Sequence, residues 1–287
     1  MTTSAFSAFS VEPFPRISPG DDLGSVITTA LDAQDISLCE GDVIVVASKV
    51  VSISEERRVD LAAVTPGDLA LGLSARTGKP AEVVQVVLDE SDEHFVAGER
   101  GPIIARHRLG YQLTSAGVDR DGLDGVWLLP ADPDASARGL RDAIAAAAGA
   151  QVAVVIADSD GRADRLGSTV LAIGAAGIAP LRDTEHAEPG GRTKRQEETL
   201  VDLVAAAAGV ILGQRGRGAP VVSVRGVEYE SSDEGVRSVL HHGGHSAEAP
   251  ADLRLRSRFR KAVEARGRGP RGARASRAPH GAGDSPA

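Results

Sequence analysis

Apolar and polar residues alternate along the chain in two rhythms, and the changes between them mark out the expected elements. A Ser18-Pro19-Gly20-Asp21-Asp22 turn can cap a helix running from Leu23 to Ala33. The run VIVVASKVV, Val43 to Val51, has a strand's β-branched content and delivers Ser48, Lys49 and Ser52 as polar groups at its terminus. Pro66 to about Arg76 reads as a helix. After the break at Gly78-Lys79-Pro80, Ala81 to Glu90 reads as a second helix with Val83, Val84, Val87 and Leu88 facing inward. Residues 94–108 alternate as a β-hairpin with its turn near Gly98 to Gly101, and Leu113 to Asp119 forms a short strand that delivers an aspartate. Turn signals at Asp121-Gly122 and Asp124-Gly125 precede a strand, Val126 to Leu129, closed by Pro130. The Asp132–Ser136 segment supplies an aspartate or serine cap for a helix from Ala137 to Ala148, stopped by Gly149.

The second half repeats these signals. Val152 to Ala157 reads as a buried strand that ends in Asp158-Ser159-Asp160-Gly161-Arg162, followed by Asp164 and Arg165. The glycines of Val170 to Ile178 suggest close backbone packing. Residues 182–198 are dense in charge and read as a loop or exposed turn, Thr199 to Leu212 as an alanine-rich helix, Gln214 to Gly218 as a flexible loop and Ala219 to Arg225 as a last strand. No repeat of solenoid period is present.

Composition narrows the class. A chain of 287 residues fits one large or two modest domains, and 42% hydrophobic with 25% charged residues is ordinary for a soluble globular protein. Aromatics at 3% leave the core to Val, Leu, Ile and Ala. The single cysteine, Cys39, excludes an internal disulfide and a cysteine-based zinc site and fits the cytoplasm. The opening MTTSAFSAFSVEPFP has no basic region and no long apolar run, so no signal peptide is expected. No stretch approaches the roughly 18 apolar residues of a membrane span. The net charge of -8 conceals an asymmetry: residues 254–287 carry nine arginines and Lys261 against Glu264 and Asp284, which leaves the remainder at -16. Residues 10–245 are therefore expected to form the folded domain, with the possibility of two subdomains, and 246–287 a basic, disordered tail. Nucleic acid is not an expected partner of the acidic body, where an anionic substrate would need metal ions or local arginines.

Candidate chemistry gathers at few places. An apolar strand ending in Asp158, Ser159 and Gly161 can present metal or phosphate ligands, and the competing reading is a polar turn after a core strand. Lys49 can hold a phosphate or simply be a solvated edge lysine. His241, His242 and His245 form a weak metal motif.

Several stretches taken together resemble the coenzyme F420-0:L-glutamate (gamma-glutamyl) ligases, closest to the N-terminal ligase domain of the actinobacterial two-domain enzyme. They are Pro15-Arg16-Ile17-Ser18-Pro19-Gly20-Asp21-Asp22-Leu23, the segment Gly41 to Ser52, Gly78-Lys79-Pro80-Ala81-Glu82, Ser115-Ala116-Gly117-Val118-Asp119, Leu128 to Ala137, Ile156 to Arg162, Ala172 to Gly177 and Pro220 to Gly226. The likeness runs from about Val11 to Gly243 and does not extend to a nitroreductase-like C-terminal domain. It implies an α+β fold of mixed sheets with helices, often an intertwined homodimer. It also implies a GTP-dependent ligase that adds L-glutamate by gamma linkage to coenzyme F420-0 through an acyl phosphate. GTP is then a co-substrate, with two divalent ions, Mg²⁺ or Mn²⁺, and room for K⁺ beside them.

Position by position, Asp119 and Asp158 match metal aspartates, Ser159 stands for a metal-side threonine, and Gln214 lies where a glutamate ligand is usual. Ser48 and Lys49, Phe14, Pro15, Arg16 and Ile17, and the loop with Gly213, Arg215 and Gly216 fall on nucleotide-contacting segments. The sequence also departs from the family. Ile53 replaces a second lysine and Asp121-Gly122 a Ser-Asn pair. Asp164 and Ser168 replace an aromatic and a glutamine, and Gln196 a threonine. These departures keep open a second reading, a paralogue that binds nucleotide or deazaflavin without ligating, or a ligase for a different acceptor.

Overall fold

The apolar runs that begin near Val43 and Val152 lie side by side at the centre of one sheet. A computed structural model of the chain describes residues 5–97, 100–122, 124–213 and 219–241. Through these residues the chain runs β1 (Ser7–Ser10), α1 (Leu23–Asp32), β2 (Val43–Ala47), α2 (Ser48–Ser54), β3 (Arg58–Asp60), α3 (Asp68–Thr77), α4 (Ala81–Asp89), β4 (Ser91–Val96), β5 (Ile103–His107) and β6 (Gln112–Thr114). It continues through β7 (Asp119–Asp121), β8 (Gly125–Trp127), α5 (Pro133–Ala148), β9 (Ala153–Gly161), β10 (Ser168–Ala176), β11 (Leu181–Glu188), β12 (Arg192–Thr199), α6 (Leu200–Leu212) and β13 (Val221–Arg225). The result is the expected mixed α+β class with several sheets.

The main sheet has the order β1-β13-β2-β9-β10. Its central pair, β2 and β9, is parallel, and the other neighbours are antiparallel. A parallel pair inside a sheet is buried on both faces, which is why Val43 to Val46 and Val154 to Ile156 are apolar without alternation and fully shielded. Asp22 caps α1 by accepting from the Ser25 N–H, and Asp132 caps α5 by accepting from Ala135, with Gly149 in the left-handed region at the other end. The α1 and α5 helices approach at Gly24, where an added Cβ would stand 2.7 Å from that of Ala143. The start of α5 presses on β10 at Gly174, whose Cβ would meet the Pro133 carbonyl, so the glycines of Val170 to Ile178 do mark close packing.

Residues 58–128 are inserted between α2 and α5 and form a lobe of their own. Two three-stranded sheets, β3-β8-β7 and β4-β5-β6, pack with α3 and α4 around two small clusters separate from the main core. One cluster centres on Val84, Val87, Ile103 and Ala116, the other on Val83, Val86 and Val126. The buried His107 joins the lobe's first hairpin to α4. The Leu109 N–H donates to its Nδ1, leaving Nε2 to meet the Glu90 carboxylate at 3.2 Å.

Five local expectations are corrected. The strand expected from Val43 to Val51 stops at Ala47, and Ser48 begins α2, because Val51 and Ser52 are buried on the helix's inner side. The segment Asp158–Gly161 is not a turn: β9 runs on through it, held by β10 in register Asp158 to Leu171 and Gly161 to Ser168. Leu113–Asp119 is not one strand, since Ser115, Ala116 and Gly117 all have positive φ (53°, 52° and 70°) and form a left-handed turn between β6 and β7. The charged segment 182–198 is a long antiparallel hairpin, β11–β12, carrying the ion pairs Arg182–Glu198 (2.8 Å) and Arg195–Asp183. The helix expected from Ala137 begins earlier, at Pro133, a residue well suited to a first helical turn. No helix among the described residues is long and apolar enough to cross a membrane. The basic tail lies outside the described residues, as do His242 and His245.

Candidate functional site

The carboxyl end of the parallel pair opens into a cleft of about 1270 Å³ between the main sheet and the inserted lobe. Register builds its centre. Ala47 of β2 is paired with Ala157 of β9, so the next residues, Ser48 and Asp158, emerge side by side. The Ser48 hydroxyl donates to Asp158 Oδ1 at 2.6 Å. One residue on, in the first turn of α2, Lys49 Nζ lies 2.8 Å from Asp119 Oδ2 and 3.4 Å from the Arg120 carbonyl. The lysine thus bridges from the main sheet to the lobe.

The left-handed turn aims Asp119. Gly117 is required there twice over: its φ of +70° disfavours other residues, and a Cβ would stand 2.6 Å from Leu129 Cδ2. Ser115 and Ala116 hold the same backbone region without that freedom, and such strain is characteristic of functional sites. On the other wall, Asp160 Oδ1 accepts from the Thr114 N–H at 2.7 Å, and the Thr114 hydroxyl exchanges hydrogen bonds with Gly161 at 3.0 and 3.1 Å. Asp160 therefore clasps lobe to sheet, whereas Asp158 faces the cleft.

Burial pushes the Asp158 carboxyl up to about 6, against the hydrogen bonds from Ser48 and the Ser159 N–H, and the charges of Asp119 and Asp160 push in the same direction. Two mutually repelling, partly desolvated carboxylates at a cleft wall would be relieved by a cation. Among the described residues, however, no group of three or more Asp, Glu, His or Cys side chains is placed to hold a metal ion. Carboxylate and hydroxyl oxygens are the donor type that a hard divalent ion takes, one or two at a time, when phosphate oxygens and water fill its remaining positions.

Of the residues singled out from sequence, Phe14, Pro15, Arg16 and Ile17, Ser48 and Lys49, Gly213, and Asp119, Asp158 and Ser159 all line this one cleft. Gln214, Arg215 and Gly216 lie outside the described residues. Ile53 and Ser168, two of the departures, also face the cleft, whereas Asp164 is exposed and paired with Arg162 at 2.9 Å and Arg165 at 3.4 Å. Sequence reading missed Arg58, Trp127 and Thr114. No spacing signal marks them, since strand pairing alone brings Arg58 and Trp127 together.

The fold and the cleft define an α+β protein in which two aspartates, a lysine and serine hydroxyls converge on one open site at the edge of a parallel strand pair. The sequence profile of the F420-0:gamma-glutamyl ligases matches residues 13–226, and the chain belongs to that family. It is 34% identical over 240 residues to the coenzyme F420:L-glutamate ligase of Methanothermobacter thermautotrophicus, covering 82% of this chain and 95% of that protein. It is 35% identical over 233 residues to the protein of the same name from Methanosarcina acetivorans (80% and 89% covered). The Archaeoglobus fulgidus protein of that name is 37% identical over 223 residues (76% and 87%).

Proposed function

We propose that this protein is a ligase of coenzyme F420 biosynthesis, joining L-glutamate to coenzyme F420-0 at the expense of GTP. The relatives' shared name supports the reaction class, and the convergence of Ser48, Lys49, Asp119 and Asp158 on one cleft is the observation that carries it. A carboxylate is a poor electrophile. Its oxygen attacks the γ-phosphorus of GTP, GDP departs, and an acyl phosphate results. The glutamate amine then attacks the acyl carbon, inorganic phosphate leaves with the C–O bond, and the amine loses a proton.

In this scheme Lys49 turns from Asp119 to a phosphate oxygen, Ser48 fixes the orientation of Asp158, and the segment Phe14 to Ile17 covers the nucleotide. Asp119, Asp158 and the Ser159 hydroxyl would hold Mg²⁺ or Mn²⁺, which supplies neutralisation of the phosphate charge. We further propose a homodimer. Among the described residues the β11–β12 hairpin is paired with no other strand, and its residues are exposed almost throughout, whereas an isolated two-stranded hairpin is marginally stable in water.

Purified protein incubated with GTP, Mn²⁺, L-glutamate and the deazaflavin acceptor should give a product heavier by a glutamyl residue. Absence of both nucleotide hydrolysis and glutamylated product would overturn the proposal. The apolar Ile53 in the cleft favours one competing reading, a binder that does not ligate. Calorimetry separates the two: GTP binding strengthened by Mn²⁺ belongs to the ligase, and binding indifferent to Mn²⁺ to the binder.

A further inference from the structure

The sheet β3-β8-β7 contributes a wall of the cleft, and its three strands place one side chain each in line. Trp127 is directly paired with Arg58 on one side and with Asp119 on the other. Directly opposed residues of antiparallel strands share a face, and all three line the cleft. Gly125, two residues before Trp127, is on the same face. A Cβ there would stand 2.5 Å from Arg58 Nη2, 2.7 Å from Cζ and 2.8 Å from Nε. The guanidinium therefore reaches across to β8 and sits where a Cβ on Gly125 would stand, so a side chain there would displace it. Trp127 is 6% exposed, and its indole Nε1–H has no hydrogen-bond partner among the described residues. A buried unsatisfied donor beside a cleft is a group for which a ligand can provide the acceptor.

From this geometry we propose that Arg58, seated over Gly125 and beside Trp127, is the station for a carboxylate of the incoming L-glutamate. The inference rests on the ligase reading of the same cleft. The guanidinium over Gly125 is one strand spacing and two residues from Asp119, about 8 Å between backbone positions. L-Glutamate spans about 6 Å from amine to far carboxylate at roughly 1.5 Å per bond. A glutamate held at Arg58 thus brings its amine to the end of the cleft where Asp119, Lys49 and Asp158 meet, and its methylenes rest on Trp127. The planar fork of arginine is matched to a carboxylate, and the apolar floor suits an aliphatic spacer. A deazaflavin acceptor is far longer than this interval and needs the open side of the cleft.

The test compares the full-length protein with Arg58→Ala, Arg58→Lys and Gly125→Ala. Gly125→Ala keeps the charge and displaces the guanidinium. Two readouts are taken: KM for L-glutamate, GTP and acceptor in steady state, and L-glutamate binding by saturation-transfer NMR in the presence of GDP and Mn²⁺. Arg58→Ala and Gly125→Ala are expected to raise the KM for glutamate and to weaken its binding about tenfold or more, with less than about twofold change for GTP and acceptor, and Arg58→Lys is expected to fall between. Unchanged glutamate binding in Arg58→Ala, or an effect confined to GTP or to the acceptor, overturns the assignment while ligation by the wild type leaves the ligase reading intact. If the wild type does not ligate yet binds glutamate through Arg58, the ligase reading falls and the glutamate station stands.

Discussion

At the scale of single residues, the cleft and the lobe use carboxylates in opposite ways. Asp158 is held above its ordinary range by burial and by its acidic neighbours, whose charge a cation beside it would relieve. Asp158→Asn keeps the shape and removes the charge, and kcat should fall about 100-fold or more, by analogy with removal of a group that stabilises developing charge. A stopped assay of glutamylated product measures it, and near-wild-type turnover would exclude Asp158 from the chemistry. Glu90 is structural. Burial alone would raise its carboxyl, but the hydrogen bond from His107 and the charges of Arg108, His107 and Arg57 carry it below the usual carboxylate range. Because the folded-state value is depressed, the unfolded chain binds more protons over the acid range. The contribution is therefore present above the unfolded value near pH 4.5 and is lost as pH falls through the folded one. Glu90→Gln should cost about 1–2 kcal/mol at pH 7. The difference from wild type should shrink below about pH 4 in urea melts; a gap constant down to pH 3 would assign the cost to packing.

At the scale of elements, sequence pattern was a good guide wherever burial was one-sided or complete and a poor one where pairing decided. The central strands, the amphipathic α1 and α4 and the capped α5 follow from apolar spacing and cap residues. Val50 and Val51, good strand formers, sit in α2 because docking of that short helix outweighs a propensity difference of a few tenths of a kcal/mol. The β11–β12 hairpin has almost no apolar face to announce it, and its evidence is cross-strand charge that only the register discloses. Arg58 and Trp127, which line the same cleft, were illegible for the same reason, whereas Asp119, Asp158 and Lys49 were singled out through their motifs.

Close packing of elements gives a paired prediction. Gly174→Ala should destabilise by about 1–3 kcal/mol, because the methyl runs into Pro133 at the start of α5. Gly139, in the middle of α5 with nothing within 4 Å of its would-be Cβ, should become more stable as Ala by about 0.5–1 kcal/mol. Thermal melts of the two variants should move in opposite directions; a shared direction would show that α5 is not seated on β10 at Gly174.

At the scale of the whole molecule, the cleft joins parts of unequal strength. The main sheet has a large continuous core, whereas the 58–128 lobe has two small clusters. The lobe is tied over the cleft by Lys49 to Asp119, by Thr114 to Asp160 and Gly161, by the Tyr111 hydroxyl to the Ile173 carbonyl, and by Tyr111 and Leu113, which are buried in the main core. Stability in such a molecule is not uniform, and the part with fewer buried contacts opens at lower free energy. Amides of β5 and β8 should therefore exchange with deuterium faster than those of β2 and β9. A ligand that bridges sheet and lobe opposes that opening by mass action, by about 2.7 kcal/mol when present at 100 times its Kd. GTP with Mn²⁺ should then slow exchange in β5 and β8 by roughly 100-fold, the same free energy expressed as a rate. Thr114→Val, which deletes the hydroxyl clasp to Gly161, should speed the unliganded exchange in the lobe while leaving the central strands unchanged. Equal exchange rates in β8 and β2 without ligand, or lobe amides indifferent to nucleotide, would show that sheet and lobe open as one unit and that the cleft is not a moving joint.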